Sequence, residues 1–277
     1  MKFKFPLFLR IFLLFGLTQL AGIYAAYKFL PALGPAQPMR FSGFSFYDFA
    51  ILVVFVLFLI FIVRRFKLAS SIFFRVFLTV VVFAGAQAML AIWFSPLISA
   101  FIAILLLILF WFFNNVFLQD LVMVLTFAGV GAVLGISLTP GTVILILAIL
   151  SFYDIIAVYK TKHMVELAEA MIQSRAIFGF VVPATFRGFK ERMTRVSPGE
   201  QFMILGSGDV ILPLLLSASL VRTSLNQSVI VAFFSALGLF LMHLIFTNQK
   251  VRRPMAALPP IAAMAILGYL IISIFIN

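Results

Sequence analysis

Apolar residues along this chain gather in long runs with short polar breaks between them. The runs cover residues 7–28, 48–64, 71–94, 96–113, 118–137, 140–160, 208–223, 228–247 and 256–276. Runs of about 17–25 residues match the length a helix needs to cross the hydrocarbon of a bilayer. Each is expected to be helical, because lipid offers no partner for a free backbone N–H or C=O. Phe94-Ser95-Pro96 separates the third run from the fourth, and Pro140-Gly141 marks the turn before the sixth. The first run follows a basic start, MKFKF, but it is longer than a signal-peptide core and has no small-residue cleavage site. It is read as a spanning helix. The pattern predicts an all-α polytopic membrane protein with about nine transmembrane helices in a single membrane-embedded domain, 1–277. Helices one to six fall within about 7–160, a loop covers about 161–205, and helices seven to nine fall within about 208–276.

Composition agrees. Hydrophobic residues make up 65% of the chain and charged residues 10%, whereas soluble chains carry about 25% charged residues. There is no Cys, which excludes disulfides and thiolate chemistry, and the two His, His163 and His243, are too scattered for a histidine metal site. No metal or cofactor is expected. The net charge of +12 does not point to nucleic acid, because Lys and Arg cluster in short loops. One side of the membrane carries Lys2, Lys4, Arg10, Arg64, Arg65 and Lys67, then Lys160, Lys162, Arg175 and the basic run Arg187 to Arg195, then Lys250, Arg252 and Arg253. The other side carries Lys28, Arg40 and Arg222. The positive-inside rule makes the first side cytoplasmic. The expected setting is a multi-pass cell-membrane protein with a cytoplasmic N-terminus, an external C-terminus and the lipid bilayer as its constant partner.

The longest polar stretch joins the sixth and seventh runs. Its first part, TKHMVELAEAMIQ, sets Met164, Leu167, Ala168, Met171 and Ile172 on one helical face and predicts a helix along the membrane surface that continues the sixth. AIFGFVVPA and QFMILG, on either side of a basic turn region, are too short to span and read as two strands or interfacial pieces.

Two acids break the apolar pattern. Asp154 lies in ILILAILSFYDIIAVY and Asp209 in FMILGSGDVILPLLL. A carboxylate within the hydrocarbon costs about 2.5–3.5 kcal/mol on insertion scales, so it is kept mainly where it works. Asp154 is six residues before Lys160, about 9 Å along a helix, and Asp209 begins the seventh run on the same side. At like depth the two can meet. Nearby like carboxylates in a low dielectric hold one proton between them; the ionised member then takes a proton from water while the other polarises a carbonyl. Gly206, Ser207 and Gly208 precede Asp209, and the glycines allow close backbone approach and unusual dihedrals. Tyr153 brings a hydroxyl and a ring beside Asp154.

FYD at 152–154 and GSGD at 206–209 resemble the YD and GxGD motifs of the presenilin and signal peptide peptidase family of intramembrane aspartyl proteases. The resemblance covers the whole nine-span layout and, with VYKTKHMVELAEA, is closest to prokaryotic, especially archaeal, presenilin homologues. It implies that Asp154 and Asp209 are catalytic. It also implies that Tyr153, Gly206, Ser207, Gly208 and the segment Ala256, Ala257, Leu258, Pro259 contact a transmembrane protein or peptide substrate. That last segment stands where the family has a Pro-Ala-Leu motif, and Ala256 replaces its first proline. The charge pattern matches the presenilin orientation, which implies substrates whose N-terminus lies outside. Oligomeric state and any partner subunit are left open by the sequence.

Other readings stand beside these. Asp154 also fits a structural carboxylate, although the basic residues inside spans, Arg10 and Arg75, lie near cytoplasmic ends. Asp209 after glycine also fits a helix N-cap. Asp48 and Asp120 are expected to cap the second and fifth runs, His163 to lie on a solvated face, and His243 to make a polar packing contact. Gly129, Gly131 and Gly135 are expected at a close helix contact. An ion- or proton-coupled transporter or channel would also place acids in a membrane, but it does not explain GSGD. A prepilin-peptidase-like enzyme would carry its first aspartate in a polar segment.

Overall fold

The computed structural model describes residues 5–33, 67–160, 163–196, 202–248 and 255–275. The run 48–64 and Asp48 lie outside them. The other eight apolar runs fall on helices: α1 Phe5–Leu33, α2 Lys67–Leu90, α3 Pro96–Phe113, α4 Val116–Ser137, α5 Pro140–Ile155, α7 Ser207–Ser219, α8 Leu225–Thr247 and α9 Leu258–Phe275. Among the described residues six helices are long and apolar enough to cross a membrane. The thirteen residues of α7 fall short of that length and are followed by a 3₁₀ turn, Leu220–Arg222. α9 is counted as a shorter apolar helix over Leu258–Ile274.

Local chemistry sets the boundaries. Pro96 occupies the first turn of α3, and that helix ends at Asn114, whose left-handed φ of 47° suits its short polar side chain. Asn115 then caps α4 by accepting from the Leu118 N–H at 2.8 Å. Thr139 and Pro140 begin α5 in the same manner. α5 passes at its far end into a π turn, Ile156–Lys160.

The polar stretch folds into a helix and two strands, as the pattern of its apolar pieces predicts. α6 spans His163–Gln173; the side chains of 163–167, His163 included, lie outside the described set. Arg175 closes α6 with a left-handed φ of 57°, and the Ala176 N–H returns to the Met171 carbonyl at 3.0 Å. The chain then enters β1, Gly179–Pro183, which pairs antiparallel with β2, Phe202–Gly206, in the register Gly179 to Gly206 and Val181 to Ile204. Between the strands, Arg187, Lys190, Arg192 and Arg195 are exposed, while Gly188 and Met193 are buried. This basic segment docks on the α3–α4 junction through Met193 N–H to Asn114 O and Val116 N–H to Glu191 O.

α4 is the pillar of the bundle. It packs against α1, α2, α7 and β1, and most of its residues are buried. The expected glycines allow this. A Cβ on Gly129 would strike the backbone oxygen of Gly85 in α2, one on Gly131 the Leu214 side chain, and one on Gly135 the Ala218 methyl. The hairpin is packed on both faces. Phe180, Val182 and Leu205 join the main core, where Phe180 meets Phe127 edge-on at 5.3 Å. Val181, Phe202 and Ile204 face Val116, Ile177, Met193 and Val196.

Candidate active site

Val143, Leu147 and Asp154 are the buried positions of α5. Their spacing puts them on one stripe, and the apolar pair packs with Leu215 and Leu216 of α7 and Ala262 and Ala265 of α9. Asp154 therefore reaches the seam between α7 and α9. It is 7% exposed. Its carboxylate accepts from the backbone N–H of Leu258, the first residue of α9. Its Oδ2 has no hydrogen-bond partner among the described residues, nor has the buried hydroxyl of Ser151 one turn earlier. Acceptors left open in a buried place are uncommon and call for a structural or chemical reason.

Asp209 sits in the first turn of α7 and is half-buried. It is not the N-cap: α7 begins at Ser207, and Gly206 holds the cap position with φ −64° and ψ 153°. The carboxylate turns back toward Gly206, the direction that a third-position acid takes in a capping box. Two further bonds fix this end of α7. Gln19 of α1 donates to the Val210 carbonyl at 3.0 Å, and the Ser207 N–H donates to the Phe178 carbonyl at 3.0 Å. Pro213, four residues after Asp209, lacks the N–H that would bond the Asp209 carbonyl. That oxygen is left to other donors.

The two acids lie within electrostatic reach of each other. Gly206, Leu258 and the β-hairpin are gathered around them. The expected use of the glycines needs correction. No glycine in the GSGD segment has a positive φ, so no unusual dihedral is involved. Gly206 instead provides room, since a Cβ there would come to 3.2 Å from Asp209 Oδ2. Gly208 is exposed. Tyr153 is 40% exposed, beside Asp154 on the outer face of α5. Ala256 and Leu258 are buried, while Ala257 and Pro259 are half-buried.

Asp120 is a second correction. It does not cap α4, because Asn115 does. It is 2% exposed, and its Oδ1 accepts from the Val181 N–H of β1 at 2.8 Å. Its neighbour Gln119 donates to the carbonyls of Ile177 at 2.8 Å and Gly179 at 3.3 Å. Arg10 in α1 donates to Pro183 O at 2.6 Å and lies over the Phe186 ring at 4.1 Å. The polar pair Gln119-Asp120 inside VFLQDLVMVL was the available signal for this contact. His243 packs in α8 against Phe8 at 4.9 Å, as expected of a polar packing contact. Among the described residues no group of His, Cys, Asp and Glu is arranged to hold a metal ion.

The family described as signal-peptide peptidase, presenilin aspartyl protease matches residues 11–277. Among solved structures, the chain is similar to a presenilin family intramembrane aspartate protease in its C222 crystal form, with TM-score 0.61, 24% identity and 95% of each chain covered. It is similar to that form's P2 counterpart with TM-score 0.60 and 25% identity, covering 96% of this chain and 97% of the other. No curated protein matches the chain by sequence.

Proposed function

Given that the chain belongs to the signal-peptide peptidase, presenilin aspartyl protease family and is an intramembrane aspartyl protease, we propose that Asp154 and Asp209 are its catalytic pair and that it cuts within the transmembrane segments of its substrates. One observation carries the reading. Two acids from separate helices, 55 positions apart, one beside the Leu258 N–H and the other turned back on Gly206, lie within electrostatic reach of one another.

The pair works with one proton between them. The ionised member takes a proton from water as it attacks the peptide carbonyl, and the protonated member donates to the carbonyl oxygen as the tetrahedral intermediate forms. Collapse of that intermediate returns a proton to the departing amine. The Leu258 amide at Asp154 and the turn of Asp209 back on Gly206 hold both groups in place before substrate arrives, which reduces reorganisation during the reaction.

A peptide bond inside a helix is shielded, so the substrate unwinds before it is cut. Unwound backbone in lipid needs hydrogen-bond partners, and the hairpin beside Asp209 supplies an edge for strand addition. Ser207 N–H bonds to Phe178 O, which fixes the alternation of the ladder: Phe180 with Leu205 and Val182 with Met203 exchange bonds, while Ile204 turns its N–H and C=O to the far side of β2. The substrate pairs along that side. The basic residues at the hairpin end of the molecule make this side cytoplasmic and the N-terminus internal, which suits substrates that enter with their N-terminus outside.

The direct test is cleavage of a detergent-solubilised transmembrane peptide by the purified protein, compared with Asp154→Ala and Asp209→Ala. Both variants are expected to be inactive and folded. Cleavage retained by either one overturns the assignment.

A further inference from the structure

A two-stranded sheet has two edges, and both are open to a strand unless something covers them. Here three side chains cover much of the far edge of β1, each matched to the backbone group it meets. Along that edge the outward groups belong to Ile177, Gly179, Val181 and Pro183. The carbonyls of Ile177 and Gly179 receive the amide of Gln119, and the carbonyl of Pro183 receives the guanidinium of Arg10. The Val181 N–H is met by the carboxylate of Asp120. Three carbonyls of this edge thus meet donors, and the Val181 amide meets an acceptor. Pro183 has no N–H, so at this outward position it costs the sheet no bond. Gln119, Asp120 and Arg10 are all buried, and Asp120 Oδ2 is left without a partner among the described residues. A buried carboxylate half-satisfied in this way is costly to retain.

We propose that Gln119, Asp120 and Arg10 are positioning residues that close one edge of the hairpin and set its opposite edge, along β2, beside Asp209 as the single docking strand for an extended substrate. The inference rests on the reading of β2 as the substrate edge. These residues touch neither the reacting bond nor the acid pair. They act through β1, which α4 holds from one side and α1 from its end. A hairpin freed from this clamp tilts or offers two edges, so the substrate binds in unproductive registers and its apparent affinity falls.

The experiment uses the full chain in detergent with a transmembrane peptide substrate, and it reads kcat, KM and amide exchange along residues 178–184. Asp120→Ala is expected to raise KM about fivefold, the effect of losing one hydrogen bond, with kcat within about twofold and faster exchange at Val181. Asp120→Asn keeps an acceptor oxygen at the same place and is expected to recover most of the lost affinity. Gln119→Met, which removes the donor but keeps the bulk, is the second variant should Asp120→Ala fail to fold, and it is expected to raise KM likewise. Ile204→Pro separates the two layers of the argument. If Ile204→Pro raises KM while Asp120→Ala and Gln119→Met leave KM and exchange unchanged, the clamp is wrong and the β2 edge stands. If Ile204→Pro leaves KM unchanged, the edge reading fails and the clamp falls with it. A variant that lowers kcat alone also overturns the positioning role.

Discussion

Asp154 and Asp209 carry the same side chain, but the backbone holds them differently. Asp154 hangs from the last turn of α5 and takes an amide from another helix, whereas Asp209 turns back on its own helix cap. If one proton is shared, the rate falls at low pH, where both acids are protonated and no base remains. It falls again at high pH, where both are ionised and no acid remains. A bell-shaped profile of kcat is therefore expected, and Asp154→Asn or Asp209→Asn should each lower kcat by at least about 100-fold without loss of helical circular dichroism, since removing one of two close like charges relieves repulsion. A rate that climbs steadily with pH would contradict the shared proton. At this scale the two acids were legible in the sequence because a charge inside an apolar run is conspicuous. The role of Asp120 was not legible. Its partner, the Val181 amide, lies 61 positions away, and an acid near the start of an apolar run looks like a cap until the strand that it bonds is in place. Tyr153 was legible as a neighbour of Asp154, but consecutive residues on a helix face different ways, and its ring lies on the outer face.

The elements were legible where hydrophobic period or turn chemistry marked them. Eight runs became helices and the two short apolar pieces became a hairpin, because length separates a strand from a span. Less visible was the way the hairpin uses its edges, which depends on tertiary contacts with α1 and α4. That usage now separates two substitutions that look alike in sequence. Met203→Pro removes an amide from the ladder to Val182 and should weaken the hairpin itself by roughly 1 kcal/mol or more. Ile204→Pro removes only an outward amide, so thermal unfolding should be little changed while KM rises. Equal effects of both on melting temperature would show that the ladder alternation is misassigned. Between helices, the meeting of Gly85 and Gly129 makes its own prediction. Gly129→Ala places a methyl group against the backbone oxygen of α2, and overpacking of that kind costs about 1–3 kcal/mol, readable as a lowered detergent-denaturation midpoint.

For the molecule as a whole, α4 binds α1, α2, α7 and the hairpin into one frame, so the acid pair and the proposed docking edge share a support. The work of reaction then falls on the substrate, which has to leave its helix. Substrates with glycine or another poor helix former near the cut should be cleaved faster, by up to about fivefold for each change of about 1 kcal/mol in helix stability; rates indifferent to such changes would place the slow step elsewhere. The start of α9 adds a different kind of consequence. A helix ordinarily begins with several N–H groups that ask for water. Here the Leu258 amide is taken by Asp154, and Pro259 and Pro260 have no N–H to offer. This end of α9 therefore leaves few backbone donors for water. Water for hydrolysis is then expected to arrive on the opposite side, where Gly208 is exposed and a Cβ would meet only Leu212 at 3.9 Å. Because the chain has no cysteine, single Gly208→Cys and Ala257→Cys variants accept a nitroxide without background. The label at 208 should be relaxed by a water-soluble paramagnetic agent, and the label at 257 should be shielded from it.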